Sequence, residues 1–185
     1  MIHFINSLQI LSNAELQRLE GITQNKFLKK NDFLIKEGVI CNEIVLVKKG
    51  ILRSFYTNSE GNEITKCIVF ENELTAAYSS FITQQPTFEN IQAICDTELV
   101  VLKRKDLYNL YETSSEWQNV GRLLTEFHYI ESENRTVSFQ KLSAKERYEA
   151  LVENHLKYLK YIPLKYLSSY LGITPRHLSR LRKSC

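Results

Sequence analysis

Arg176, His177, Arg180, Arg182 and Lys183 fall within eight consecutive residues of a 185-residue chain. On a helix, Arg176, Arg180 and Lys183 share one face at steps of four and three, with His177 beside them and Arg182 on an adjoining side. A guanidinium presents paired N–H donors that match the O6/N7 edge of guanine or two oxygens of a phosphate. The chemistry this cluster suits is recognition of a polyanion, not the making or breaking of bonds. Thr174, immediately before Pro175, is placed to cap such a helix, and the positive N-terminus it opens suits a phosphate. On the preceding segment, Lys165 and Tyr166 are candidates for contacts to a sugar–phosphate backbone.

Two short helices must hold this face. In Ile162 to Arg182 (IPLKYLSSYLGITPRHLSRLR), Pro163 starts a helix over Leu164 to Leu171, Gly172 breaks it, and Thr174 with Pro175 starts the second, running to Lys183. Leu167, Leu171, Ile173, Leu178 and Leu181 supply a shared core. Ser168 is small where two steeply crossed helices approach, and Gly172 suits a left-handed turn. An ordinary αα-hairpin would need fewer of these constraints together. Upstream, Ser143 and Glu146 form a capping box for a helix from Ala144 to about His155.

A longer helix is expected from about Glu116 to Ser138. Val120, Leu123, Phe127, Ile130, Asn134 and Val137 recur at steps of three and four, the spacing of a two-stranded seam with one polar position. A helix packed on its own domain is the plainer reading of the same spacing. Residues 1–115, 116–138 and 139–185 are thus expected to be a barrel domain with flanking helices, a dimerisation helix and a helix-turn-helix domain.

The N-terminal part has a different texture. After a short helix over 12–22, capped by Ser12 or Asn13, short strands separated by turns run from about Lys26 to Lys103. They include Ile44–Val47, Ile51–Thr57, Glu63–Phe70, Ile91–Ile94 and Leu99–Leu102, with Asn58-Ser59-Glu60-Gly61 as a hairpin loop. The expected class is α+β: an N-terminal antiparallel barrel or jelly roll, a long helix, and a small C-terminal helical domain.

Charge agrees with a polyanion at one end. From Phe139 to Cys185 ten Lys or Arg oppose three Glu (+7), while the first 138 residues hold fourteen against eighteen Asp or Glu (−4). Other chemistries find little support. Cys41, Cys67, Cys95 and Cys185 lack metal or redox spacing, and His3, His128, His155 and His177 all lie outside the strand region, which disfavours a cupin-like metal site. Neither a nucleophile elbow nor a phosphate loop is present, so an enzyme, a metal or a cofactor is not expected. The N-terminus lacks the basic start and cleavage site of a leader, and no apolar run approaches the ~18–20 residues of a membrane span. A cytoplasmic protein is expected.

These parts, in this order, resemble the Crp/Fnr superfamily of bacterial regulators over nearly the whole length. Lys36-Glu37-Gly38 resembles the turn before a barrel strand, and Val45 to Arg53 resembles the strand leading into a Gly turn. The resemblance implies a homodimeric, sequence-specific regulator of double-stranded DNA, with an effector barrel and RNA polymerase as a further partner. Two departures stand out: the sequence stops at Cys185, so the full wing that many relatives carry after the recognition helix is not expected, and the phosphate cassette is altered. Where cyclic-nucleotide-binding members carry Gly-Glu-Leu, this chain has Asn72-Glu73-Leu74. Where their Arg pairs with the cyclic phosphate, it has Thr87, Phe88 or Glu89, depending on alignment. Glu73, Leu74, Thr87 and Phe88 are therefore candidates for a pocket that has lost its guanidinium fork and takes an unidentified small molecule or none. A protein-interaction module whose helix-turn-helix no longer binds DNA is the alternative.

Overall fold

The computed structural model describes residues 9–154 and 156–184. His3, His155, Cys185 and the first eight residues of the stretch read for a leader lie outside them. In chain order the elements are α1 (Asn13–Ile22), β1 (Gln24–Leu28), β2 (Phe33–Ile35), β3 (Glu43–Lys49), β4 (Leu52–Thr57), β5 (Glu63–Val69), β6 (Leu74–Thr75), α2 (Tyr78–Thr83), β7 (Asn90–Ala93), β8 (Thr97–Lys103), α3 (Arg104–Thr113), α4 (Ser115–Lys141), α5 (Ala144–Asn154), α6 (Leu156–Tyr161), α7 (Leu164–Leu171) and α8 (Pro175–Ser184). The α+β class with an N-terminal antiparallel jelly roll is as expected.

The strands form two four-stranded sheets, in the orders β1-β8-β3-β6 and β2-β7-β4-β5. The pairings β1–β8, β3–β8, β3–β6, β2–β7 and β4–β7 are all antiparallel. Alternation sends Val45, Val47, Leu52, Ile91, Ala93, Leu99 and Val101 into a common core. At the rim of the first sheet the Glu43 carboxylate accepts from Lys26 and Lys103, each at 2.6 Å. Burial alone would raise that carboxyl; the two lysines outweigh it and hold it below its ordinary value.

The chain divides into two compact units that do not follow the expected boundaries. The first comprises the described residues up to Tyr56 together with Cys67–Thr125; the second comprises Thr57–Lys66 and the chain from Glu126 onward. Helix α4 is therefore shared between the units, and the tip of the β4–β5 hairpin belongs with the C-terminal helices. In the first unit the opening turns of α4 are anchored to α1: the Ser12 N–H donates to Glu116 at 2.7 Å and the Trp117 indole to Glu15 at 2.8 Å. Trp117 and Val120 are buried there among the barrel's aliphatic residues.

In the second unit the Ser143–Glu146 capping box forms in both directions, with the Ser143 N–H donating to the carboxylate (2.7 Å) and the Glu146 N–H to the hydroxyl (3.3 Å). Those hydrogen bonds hold the Glu146 carboxyl below its usual value. Helices α7 and α8 bury Leu167, Ser168, Leu171, Leu178 and Leu181. The turn between them is a Schellman closure: the Gly172 N–H donates to Ser169 O at 3.2 Å and the Ile173 N–H to Ser168 O at 3.0 Å. Gly172 has φ +68°, the left-handed region that favours glycine, and a Cβ there would stand 2.6 Å from Cε1 of Phe139, so that ring would have to shift to admit one.

Candidate functional site

The helix-turn-helix forms within the boundaries its sequence sets. The Thr174 hydroxyl accepts from the His177 N–H at 3.2 Å, closing the first turn of α8. Leu178 and Leu181 turn inward, leaving Arg176, His177, Arg180, Arg182 and Lys183 all exposed to solvent. The pattern that buries the two leucines is what presents the cations, because the two sets occupy complementary arcs of a 3.6-residue helix. Lys165, on α7, is exposed, with its ammonium 3.9 Å from the Glu63 carboxylate. A surface pair of that length contributes little to stability, so Lys165 keeps its charge available to other anions.

Part of the local excess of positive charge is structural. The Arg147 guanidinium donates to the carbonyls of Leu171 (3.2 Å) and Leu142 (2.6 Å) and lies 4.7 Å from the Phe139 ring. On α4, Arg135 donates to the carbonyls of Thr65 and Tyr170 and stacks on Tyr170 at 4.1 Å. Counting charges along the sequence cannot separate such tethers from solvent-facing cations. The signal that could have done so is the neighbourhood of aromatic residues, Phe139 and Tyr170, with which guanidinium planes stack.

Of the residues assigned to the seam, Leu123, Phe127, Ile130, Asn134 and Val137 are exposed, Phe127 at 60% and Ile130 at 53%. Val120 departs from the expectation. It is 1% exposed and packed in the barrel core, so the apolar stripe available to a partner starts one step later, at Leu123. Spacing alone cannot distinguish a residue facing a partner from one facing its own domain.

In the barrel, Asn72, where the resemblance leads one to expect glycine, has φ +66°, a left-handed conformation that glycine adopts freely. Asn tolerates it better than other L-residues, which accounts for this departure in the motif. The Glu73 carboxylate accepts from the Phe70 N–H at 2.9 Å, and half-buried Leu74 pairs with Leu46 across β6 and β3. Thr87 is buried, and its hydroxyl accepts from the Glu89 N–H at 3.1 Å. Phe88 does not join it: the residue is 55% exposed, at a bend between buried Thr87 and buried Glu89.

Buried beside Thr87 is Glu89, whose carboxylate accepts a hydrogen bond from the Ser54 hydroxyl. The nearby buried arginine, Arg53, lies opposite Gln92 while Ser54 lies opposite Ile91. Alternation therefore directs Arg53 to the other face of the sheet from Ser54 and the core residue Ile91. Its guanidinium stacks on Phe55 at 4.2 Å. A carboxylate, not a guanidinium, therefore stands beside Thr87 on the side of Ser54. A separate cavity of about 200 Å³, lined by Leu34, Ile35, Val39, Ile40 and Ala77 among others, is mainly aliphatic and smaller than usual ligand pockets, which run from about 300 Å³.

A thermal titration follows from this geometry. Cyclic AMP or cyclic GMP at millimolar concentration is expected to leave the unfolding midpoint unchanged. A ligand at 100 times its Kd would add about 2.7 kcal/mol. An upward shift of several degrees with either nucleotide would contradict this reading of Thr87, Phe88 and Glu89.

Comparison with known proteins agrees with the architecture. Residues 25–114 match the cyclic nucleotide-binding domain family. An anaerobic regulatory protein of Bacillus subtilis is 22% identical over 99 residues, a match that takes in 53% of this chain and only 41% of that protein. Among solved structures, FixK2 from Bradyrhizobium japonicum aligns with a TM-score of 0.77 at 16% identity, covering 88% of this chain and 84% of the other. A protein from Eubacterium rectale assigned to the crp/fnr family of transcriptional regulators aligns with a TM-score of 0.72 at 19% identity, covering 96% and 84%.

Proposed function

Starting from a chain that carries a cyclic nucleotide-binding domain at residues 25–114 and the Crp/Fnr fold, we propose that it is a cytoplasmic, homodimeric transcription regulator that reads double-stranded DNA with α8. The observation that carries the proposal is the complementary surface of that helix. Arg176, His177, Arg180, Arg182 and Lys183 face solvent, while Leu178 and Leu181 hold the helix on α7. Arg176 and Arg180 read base edges; Lys165, Arg182, Lys183 and the α8 N-terminus at Thr174 contact phosphates.

Two copies would associate along Leu123, Phe127, Ile130, Asn134 and Val137. Their recognition helices would then enter successive major grooves about 34 Å apart and read a near-palindromic site. The barrel's effector, if it has one, is not a cyclic nucleotide held by a guanidinium. Its binding would act by favouring one arrangement of α4 and the heads over another. No helix among the described residues is long and apolar enough to cross a membrane, in keeping with this reading.

The test is DNA affinity measured against salt. A plot of log K against log[salt] is expected to fall linearly with a slope near −0.9 for each phosphate neutralised, about −5 or steeper for a dimer making six contacts. A flat dependence, or no binding to a duplex library at low salt, would favour the rival reading of a protein-docking helix-turn-helix.

A further inference from the structure

Strand β5 ends the second sheet, with no strand beyond it among the described residues. The backbone groups of Glu63 and Thr65 on an edge strand point the same way, outward, and need partners. Within the second unit they have them. The Ser169 hydroxyl of α7 accepts from the Thr65 N–H at 2.8 Å and donates to the Glu63 carbonyl at 2.9 Å. The Thr65 carbonyl accepts from Arg135 of α4 at 3.2 Å, and the same guanidinium donates to Tyr170 O at 3.0 Å. One hydroxyl thus makes the two hydrogen bonds that a neighbouring strand would otherwise supply, and one guanidinium continues the ladder.

We propose that Ser169 is a positioning residue: its hydroxyl clasps the first helix of the helix-turn-helix to the β5 edge and so fixes where the recognition helix stands. Three observations converge on it. The two hydrogen bonds use both the donor and the acceptor capacity of one hydroxyl, which an alanine loses entirely and a threonine keeps. Thr65 is 1% exposed, so its N–H has no water to fall back on when the hydroxyl is removed. The hydroxyl of the neighbouring Ser168, by contrast, donates to Lys165 O within its own helix. Arg135 makes the arrangement a three-way junction of hairpin, α4 and α7.

The effect on DNA rests on the reading of α8 given above, whereas the clasp does not. The experiment uses the full-length protein and a duplex selected from a random library with the wild type. Ser169→Ala is expected to speed hydrogen exchange at the Thr65 amide by about tenfold, the worth of one buried hydrogen bond, with Val45 and Leu99 unchanged. Binding of the selected duplex should weaken to a similar degree, and Ser169→Thr should restore both. Unchanged protection at Thr65 in Ser169→Ala overturns the clasp. Faster exchange with unaltered duplex affinity overturns its positioning role. If the wild type itself selects no duplex, the DNA reading has failed, and exchange at Thr65 still decides whether the clasp exists.

Discussion

Arg180→Ala is expected to cost far more affinity on a specific duplex than on random DNA. Arg180 sits in the middle of α8, exposed, one helical turn from Arg176 and one short step from Lys183. From there its fork can reach a guanine edge, an interaction that contributes about 1–3 kcal/mol of discrimination, or roughly 5- to 150-fold. On random DNA the same side chain counts as one cation among several, and its loss lowers affinity only a few-fold near physiological salt. Fluorescence anisotropy with a selected site and a scrambled duplex reads both losses at once. Equal losses on the two would demote Arg180 to a phosphate contact and leave Arg176 as the base-reading candidate.

The second large effect concerns assembly. Phe127→Glu together with Ile130→Glu should convert a dimer into monomers that remain folded. Each of these side chains, if fully buried by a partner, contributes about 1.5–3 kcal/mol. Because Phe127 is 60% and Ile130 53% exposed in the single chain, a partner can bury only about half of each, and four per dimer give a loss of about 3–7 kcal/mol, most of the roughly 8 kcal/mol that holds a micromolar dimer. The monomer fold should survive, because both side chains are exposed in the single chain. Sedimentation velocity with far-UV circular dichroism separates dissociation from unfolding. Tyr129→Glu is the control: Tyr129 is 66% exposed and lies off the stripe. A double variant that keeps the dimer mass would sink the seam, as would a wild type that sediments as a monomer.

How much of this could be read from the residues depended on whether the information was local. Gly172, Pro163, Pro175 and the Ser143–Glu146 pair act on backbone within one turn of themselves, and α5, α7 and α8 start where those residues place them. Strands β3, β4, β5 and β8 were legible because β-branched and aromatic residues cluster in them. Strand β1 (QNKFL) buries only Leu28, β2 has three residues, and α2 and α6 have six each, too short for a period to emerge. At the barrel site, candidate residues could be named from their types; the outward turn of Phe88 and the buried Ser54–Glu89 pair could not, because they depend on how the chain bends before β7 and on which strand lies beside it. Val120 shows the same limit on α4: its spacing matches the stripe, yet its contacts are with the barrel. Ser169 was silent for a related reason, since its partners lie 104 and 106 residues away.

That separation also sets an order of events during synthesis. A ribosome adds about 5–20 residues per second, so Ser169 follows Thr65 by roughly 5–20 s. A hairpin can close in microseconds, so the β4–β5 ribbon can form long before its cover exists. Throughout that interval the outward amide and carbonyl groups of β5 are open to another nascent chain on the same message, and unpaired strand edges are where such chains join wrongly. Fast translation between codons 65 and 169 would shorten the interval of risk.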